Sequence, residues 1–336
     1  MDLNHKKILL TNCCGLGDLI MFTPLLKSLK KNFPACRITF LCKDIHREVL
    51  SGLPYVDKVV CIYRGKFLGR YRAVPEIFNQ DIVIFNDWHP VLMIFAKIFR
   101  VPIIAGYSRA ESFLSKCFNR ELHGHVLTSK NYAAKTNADI ISELLNVNLE
   151  GDMTDIEISK PTPHEIQSVD QKLESIGLQA NSKFILLTPF TGLEQRNLSL
   201  ETAKKFVELV EENYKLPVVI AGTADKKDIA EKISRYTLTG ATSILELAEL
   251  INRAEILVTP DSGSMHVAGA LKKNCVAIFS KDIPSRWAPR KNCLPLYLNL
   301  SCSPCDDETA INCPHLNCMR GISADMIFDA CKKFLD

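Results

Sequence analysis

The sequence predicts an α/β protein made of two doubly wound, Rossmann-like domains that face a central cleft. The chain has 336 residues, a length that suits two domains of ordinary size. Short apolar stretches alternate with amphipathic helical stretches in both halves, which favours parallel sheets covered on both faces. Between the halves, Pro161 and Pro163 interrupt both patterns. We therefore predict one domain over residues 1–160 and a second over residues 161–336.

The predicted elements follow one another in regular order. In the first half, apolar runs predict strands at 8–12, 37–42, 58–62, 81–85 and 103–105, and helical periodicity is found at 19–31 and 91–99. In the second half, strands are predicted at 184–188, 218–221, 256–259 and 276–279, and helices at 202–213, 225–234 and 244–252. Ser243 and Glu246 form a capping-box pattern at the start of the last helix. Ligands of such folds bind at the carboxyl ends of the strands, so the loops there are the places to look for a site.

Composition limits the class of function. Hydrophobic residues make up 47% of the chain and charged residues 24%, which is typical of a globular protein, and the net charge of +3 is too small to indicate nucleic-acid binding. Lys97, Arg100 and Pro102 interrupt the longest apolar stretch, so it cannot span a bilayer. The apolar N-terminal stretch has no signal-peptide cleavage pattern, and the thirteen cysteines are odd in number and scattered. We expect a cytoplasmic protein with reduced thiols.

The most informative segment is the turn of Asp261, Ser262 and Gly263, with His266 shortly after it. The turn lies between an apolar run at 254–259 and a helix of small residues. A glycine there lets a ligand approach the backbone, and the helix N-terminus offers unpaired N–H groups to an anion. The segment therefore predicts a phosphate site, although a turn that merely caps the helix is an alternative.

A second candidate turn follows the first predicted strand, where Gly15 and Gly17 precede Asp18. The Asp18 carboxylate is a candidate general base for a hydroxyl nucleophile; alternatively, it only complements the helix dipole. A Gly-x-Gly turn also permits a nicotinamide-dependent oxidoreductase with Asp44 as the ribose ligand. Ile20 stands where the dinucleotide fingerprint needs a small residue, which weakens that hypothesis.

Two motifs together resemble those of the heptosyltransferase family of glycosyltransferases: Gly-x-Gly-Asp-x-x-x-x-Thr-Pro at 15–24 and Asp-Ser-Gly-x-x-His-x-Ala at 261–268. Segments at 105–109, 242–248 and 279–289 are also similar, so the resemblance spans nearly the whole chain. It implies the GT-B architecture and inverting transfer of a sugar from a nucleotide donor, commonly ADP-heptose, to the lipopolysaccharide core. It also implies that the first domain binds the acceptor, that the second domain binds the donor, and that catalysis requires no cofactor. Asp18 then matches the family's proposed base, and Asp261, Ser262, Gly263 and His266 match its donor site.

One segment departs from the family's pattern. Gln195 stands where such enzymes usually carry a lysine that meets the donor phosphate. Arg196 follows it and can bind phosphate through two nitrogens. Thr191 and Gly192 are further donor-site candidates, and Asp225 is a weaker one. The missing lysine motivates a second hypothesis, a catalytically degraded relative that only binds a nucleotide sugar or a partner protein.

A basic stretch at 63–72 interleaves Arg64, Lys66, Arg70 and Arg72 with aromatic residues. It is either a solvated loop or a surface that recognises an anionic glycolipid acceptor, helped by a membrane surface below it. The second interpretation predicts an enzyme that contacts the inner face of the cytoplasmic membrane peripherally. His123 and His125 flank a glycine and could be a metal or catalytic pair, but a structural role is favoured.

The segment 302–318 holds Cys302, Cys305, Cys313 and Cys318, with His315 among them. Four thiols in a short loop are a reasonable arrangement for a structural zinc or iron site, in which His315 could replace one cysteine. The spacing is irregular for a zinc ribbon, so reduced thiols or a local disulfide remain alternatives.

Overall fold

The protein is described here from a computed structural model over residues 1–62, 69, 71–108, 113–123 and 131–336. The chain divides into two compact units, Met1–Ser159 and Lys160–Asp336. Among the helices of these residues, none has both the length and the apolar character that crossing a bilayer requires.

The first unit is built on a sheet of parallel strands in the order β3-β2-β1-β4-β5-β6. The strands are β1 (Lys7–Thr11), β2 (Arg37–Lys43), β3 (Lys58–Ile62), β4 (Ile82–Phe85), β5 (Ile103–Ser108) and β6 (Arg120–His123). Leu9, Leu41 and Val83 are fully buried on adjacent strands, as expected where both faces of a parallel sheet are covered. The strand order reverses between β1 and β4, and ligand crevices in such sheets open at the carboxyl ends beside this reversal.

The helices of the first unit range from four to thirteen residues, and their buried faces are mainly apolar. They are α1 (Leu16–Ile20), α2 (Thr23–Asn32), α3 (Arg47–Ser51), α4 (Val74–Ile77), α5 (Pro90–Ile98) and α6 (Ala133–Leu145). Helix α2 shows the pattern well: Leu25, Leu26 and Leu29 are buried, while Lys30 and Lys31 in the last turn complement the helix dipole.

The second unit contains a parallel sheet in the order β11-β10-β9-β7-β8. Its strands are β7 (Ile185–Leu187), β8 (Val218–Ile220), β9 (Ile256–Pro260), β10 (Cys275–Phe279) and β11 (Cys293–Tyr297). All residues of β7, β8, β9 and β10 are buried, whereas those of β11 at the sheet edge are half-buried or exposed. The order reverses between β7 and β9, so the loops that follow these two strands lie beside each other.

The helices of the second unit include the longest of the described chain. They are α7 (Pro163–Ser175), α8 (Leu200–Tyr214), α9 (Lys227–Ala230), α10 (Ile244–Arg253), α11 (Gly263–Leu271), α12 (Pro284–Trp287), α13 (Asp307–Ile311), α14 (Asn317–Arg320) and α15 (Ala324–Leu335). The predicted capping box at the start of α10 is confirmed: the Ser243 hydroxyl accepts from Glu246 N–H, and the Glu246 carboxylate accepts from Ser243 N–H at 2.7 Å.

Several element predictions were wrong in detail. The single helix predicted at 19–31 is two helices, α1 and α2, because Pro24 starts a new helix near its first position. The helix predicted at 225–234 is only a 3₁₀ turn, Ala224–Lys226, followed by the short α9. Strands β6 and β11 were not predicted.

Candidate functional site

The Asp261 turn lies where the fold of the second unit favours a ligand. Strand β9 ends at Pro260, Asp261 is 6% exposed, and α11 begins at Gly263. The Ser262 hydroxyl does not cap α11 in the described structure; it lies 2.9 Å from the Thr259 hydroxyl instead. The first turn of α11 therefore presents backbone N–H groups without the usual side-chain cap, an arrangement suited to an anion.

Arg196 comes to this turn from the loop after β7. Its Nη1 lies 3.4 Å from Asp261 Oδ2 and 3.8 Å from Asp282 Oδ2. Arg196 Nε is buried and has no hydrogen-bond partner among the described residues. The guanidinium therefore keeps unused donor capacity beside the start of α11.

The loop that carries Arg196 is held by its own hydrogen bonds. Thr191 N–H donates to Asn197 Oδ1 at 2.6 Å, and the Thr191 hydroxyl donates to the Leu193 carbonyl at 2.6 Å. Leu198 N–H donates to the Pro189 carbonyl at 3.0 Å, which closes the loop. Gly192 is exposed, and a Cβ built on it would meet nothing within 4 Å. Thr191 thus orders the loop, and Gly192 leaves open space beside it.

His266 is buried in the first turns of α11, with 3% of its surface exposed. Its ring meets Trp287 edge-on, with centroids 6.3 Å apart. Burial lowers the pKa of His266 to about 4, and within the described structure its Nδ1 has no hydrogen-bond partner. The imidazole is therefore neutral at physiological pH, so it can offer a hydrogen bond but no charge.

Lys281 is a cation near this site that sequence reasoning missed. Its Nζ lies 2.9 Å from Asp307 Oδ1 and 3.1 Å from Asp282 Oδ2. Burial lowers the pKa of Lys281, but the two carboxylates outweigh it and the net pKa is raised. The signal was present in the sequence, since Lys281 lies in one of the segments that resemble the heptosyltransferase family. Gln195 donates from Nε2 to the Ile311 carbonyl at 3.4 Å.

In the first unit, Asp18 lies in α1 and its Oδ2 accepts a hydrogen bond from Gly15 N–H at 3.0 Å. The carboxylate thus completes the start of its own helix, as the dipole interpretation expects. It is half-exposed, so solvent or a substrate can also reach it. Lys43 Nζ donates to the Cys14 carbonyl at 2.6 Å and fixes the loop before α1.

Asp87 forms a second buried cluster in the first unit, which sequence reasoning also missed. It accepts hydrogen bonds from the Thr11 hydroxyl at 2.5 Å and from Cys13 N–H at 2.6 Å. His89 Nε2 lies 3.0 Å from Asp87 Oδ2. Burial raises the pKa of Asp87, but His89, Thr11 and Cys13 together lower it below the usual value. The available signal was the Asp-x-His spacing just after β4, at the strand-order reversal.

The four cysteines of the segment 302–318 line one cavity of about 210 Å³, together with Gln195, Arg196 and His315. No three of the five sulfur and imidazole ligand atoms lie within 4.8 Å of one another among the described residues. Burial raises the pKa of the Cys305 and Cys318 thiols, whereas backbone N–H groups of Leu316 and His315 lower that of Cys313. The cysteines share a cavity without forming a ready-made single-ion site.

Of the remaining candidates, the structure describes Asp44 and Asp225. Arg64, Lys66, Arg70 and His125 lie outside the described residues. Asp44 begins a 3₁₀ turn after β2, and Asp225 is exposed beside Lys226.

The chain matches a known protein family. The family model described as Glycosyltransferase family 9 (heptosyltransferase) matches residues 93–315, about two-thirds of the chain. Lipopolysaccharide heptosyltransferase 3 of Escherichia coli K12 is 21% identical over 295 residues, which are 81% of this chain and 82% of that protein.

Solved structures show the same fold. The family 9 glycosyltransferase of Veillonella parvula superposes with a TM-score of 0.84 at 20% identity, covering 100% of this chain and 98% of that one. Escherichia coli heptosyltransferase WaaC with ADP-2-deoxy-2-fluoro heptose gives a TM-score of 0.68 at 14% identity, covering 97% and 99%. The predicted α/β class and the GT-B type of fold are confirmed.

Proposed function

Because this chain belongs to glycosyltransferase family 9, we propose that it is an inverting enzyme that transfers heptose from ADP-heptose to a lipopolysaccharide-core acceptor. The observation that carries the donor half of the proposal is the arrangement at the β7–β9 reversal. There the uncapped start of α11, the Asp261 turn and the Arg196 guanidinium meet within one site. A relative's structure with an ADP-heptose analogue supports the choice of donor. Family membership leaves no basis for the nicotinamide-dependent alternative.

The donor roles follow from charge and geometry. The N–H groups of α11 would bind the diphosphate of the donor, with Arg196 beside them and Lys281 nearby. When the bond from the anomeric carbon to the diphosphate oxygen breaks, the departing ADP gains negative charge. The helix dipole and the two cations stabilise that charge, so the proposed scheme needs no metal. Thr191, Gly192, Ser262 and His266 would contact the donor as neutral groups.

Asp18 would act as general base. It would take the proton of the acceptor hydroxyl while the hydroxyl oxygen attacks the anomeric carbon on the face opposite ADP, which inverts the configuration. The hydrogen bond from Gly15 N–H helps to orient this carboxylate. The acceptor would be an anionic glycolipid held by Arg64, Lys66 and Arg70, and the enzyme would work at the inner face of the cytoplasmic membrane through peripheral contact.

The proposal includes a structural zinc or iron ion at Cys302, Cys305, Cys313 and Cys318. Four thiols are a suitable donor set, but the sulfurs would have to approach one another to share a single ion. Metal analysis of the purified chain and of a C302S/C305S variant tests it: we expect the variant to bind one ion per chain fewer than the wild type. Equal metal content in both proteins would contradict this part.

The central experiment compares Asp18→Asn with the wild type in ADP-heptose turnover and in ADP binding by calorimetry. Loss of a general base lowers turnover by roughly 10²–10⁴-fold, while ADP affinity should change little because Asp18 belongs to the other unit. Asp44→Asn is the matched control, since Asp44 is another acid after a strand of the first unit, and it should retain wild-type turnover. Wild-type turnover by Asp18→Asn would remove Asp18 from the mechanism.

Gln195 motivates the alternative of a relative that binds the donor without turning it over. Its side chain is engaged with the Ile311 carbonyl rather than the Asp261 turn. Calorimetry with ADP-heptose alongside a turnover assay separates the two functions, because binding without sugar transfer favours the alternative. In that case Gln195→Lys should restore measurable transfer if the missing lysine is the cause.

A further inference from the structure

Three metal-ligating side chains meet in the first unit, away from the cysteine segment. One ligand atom each from Cys13, Asp87 and His89 lies within 4.8 Å of the other two. Among the described residues this is the only set of three His, Cys, Asp or Glu side chains that meets so closely. A thiol, a carboxylate and an imidazole together are the donors that zinc-class ions prefer.

The topology of the sheet explains why these residues meet. Cys13 follows the end of β1 by two positions, and Asp87 follows the end of β4 by two positions. Strands β1 and β4 are paired neighbours, with Thr11 opposite Phe85, so their following loops emerge side by side. His89 precedes the first residue of α5, which fixes its backbone.

The cluster retains acceptor capacity that its internal contacts do not use. Asp87 receives one hydrogen bond on each oxygen, from the Thr11 hydroxyl and from Cys13 N–H, which leaves further lone pairs on both. His89 Nε2 is buried and, although it lies 3.0 Å from Asp87 Oδ2, it has no aligned hydrogen bond among the described residues. Cys13 Sγ contacts the Asp87 carboxylate and also lies 3.9 Å from the Leu41 carbonyl. A sulfur, a carboxylate and an imidazole nitrogen, all electron-pair donors, therefore face one another.

We propose that Cys13, Asp87 and His89 bind one divalent transition-metal ion of the zinc class. Bonds of about 2.0–2.3 Å place tetrahedral ligands roughly 3.3–3.8 Å apart, so the side chains need to move by only about 1 Å. The hydrogen bonds from Thr11 and Cys13 N–H orient Asp87 as outer partners of a ligand carboxylate do. With three protein ligands, a fourth position is left for water. The ion would tie the loop that leads to Asp18 to the loop after β4, and its binding does not depend on the proposed transferase activity.

Cobalt is a suitable probe because thiolate bound to Co²⁺ gives an absorption band that carboxylates and imidazoles do not. The full chain would be stripped with a chelator under reducing conditions and titrated with Co²⁺, then back-titrated with Zn²⁺. A C302S/C305S background removes thiols of the second cluster. We expect about one Co²⁺ per chain with a thiolate band that Zn²⁺ abolishes, and His89→Gln should weaken binding at least tenfold.

Cys13→Ser should abolish the band, whereas Cys14→Ser is the matched control and should keep it, since Cys14 is the equally half-buried neighbour. Thermal melts check that each variant is folded. If Cys13→Ser does not fold, the Co²⁺ affinity of His89→Gln tests the proposal instead. Absence of a thiolate band in the C302S/C305S background, or tight binding that survives His89→Gln, overturns the proposal. Loss of transferase activity alone says nothing about it, which keeps this test separate from that of the proposed function.

Discussion

The buried His266 makes the stability of the second unit depend on acid pH in a way that can be measured. Burial lowers the pKa of its imidazole from 6.5 to about 4. Above pH 6.5 the imidazole is neutral in both the folded and the unfolded chain, so it adds no pH dependence. As the pH falls from 6.5 to 4, only the unfolded chain gains the proton, and the free energy of unfolding decreases.

The size of the effect follows from the size of the shift. Each unit of pKa corresponds to about 1.4 kcal/mol, so a shift from 6.5 to about 4 costs roughly 3 kcal/mol in total. The loss is complete below pH 4, where the imidazole is protonated in both states. His266→Gln removes this proton-binding group. Between pH 6.5 and 4, the free energy of unfolding of the variant should therefore fall less steeply with decreasing pH than that of the wild type, whatever its stability at neutral pH. His164→Gln, the same substitution at an exposed histidine, is the matched control.

Trp287 makes the assay specific to the second unit. The chain has two tryptophans, and Trp88 belongs to the first unit. In a Trp88→Phe background, urea unfolding followed by tryptophan fluorescence therefore reports on the neighbourhood of His266, whose ring lies beside Trp287. Imidazole NMR resonances give a direct reading, with that of His266 assigned by its loss in His266→Gln. Titration of this resonance near pH 6.5, or equal slopes in wild type and variant, would refute the reasoning.

Three further predictions concern the second unit. Gly240 has a φ of +79°, and a Cβ on it would lie 2.7 Å from Ala224 Cα, so Gly240→Ala should lower the free energy of unfolding by roughly 1–3 kcal/mol in urea titrations. Gly192→Ala has open space and should change it by less than about 0.5 kcal/mol; equal losses would count against the steric argument. Arg196→Ala should weaken ADP binding in calorimetry at least tenfold, because it removes the cation beside Asp261, and unchanged affinity would exclude Arg196 from the donor site. Glu246→Gln should destabilise the chain by about 1–3 kcal/mol in urea titrations, since the buried carboxylate is paired with Lys172; an unaltered midpoint would show that the pair contributes nothing.

The strands could be predicted because burial leaves a local mark on the sequence. Residues 82–85 and 256–260 form uninterrupted buried runs, as central parallel strands do. The edge strand β11 was not predicted from the sequence, because Pro295 interrupts its apolar pattern and its residues are only partly buried. Helix boundaries were less predictable, since the break between α1 and α2 depends on how Pro24 fits the chain.

The candidate site was predictable only as separate turns. The Asp261 turn and the loop of Arg196 were each identified by their residues, but their contact depends on β7 lying beside β9, and strand order has no local signature. For the same reason the cluster around Asp87 was missed: its partners Thr11 and Cys13 are more than seventy positions away. A site whose residues come from different strands can be predicted only when the strand order is known.

The hydrogen bonds within the loop of residues 188–198 bear on the thermodynamics of ligand capture. A side chain that becomes immobile only on association costs roughly 0.5–1.5 kcal/mol in lost rotamer freedom. Here hydrogen bonds within the loop, made by Thr191, Asn197 and Pro189, already restrain it. Much of this conformational entropy is therefore lost when the chain folds rather than when a nucleotide binds. A nucleotide that contacts Arg196 thus binds a loop that is already ordered.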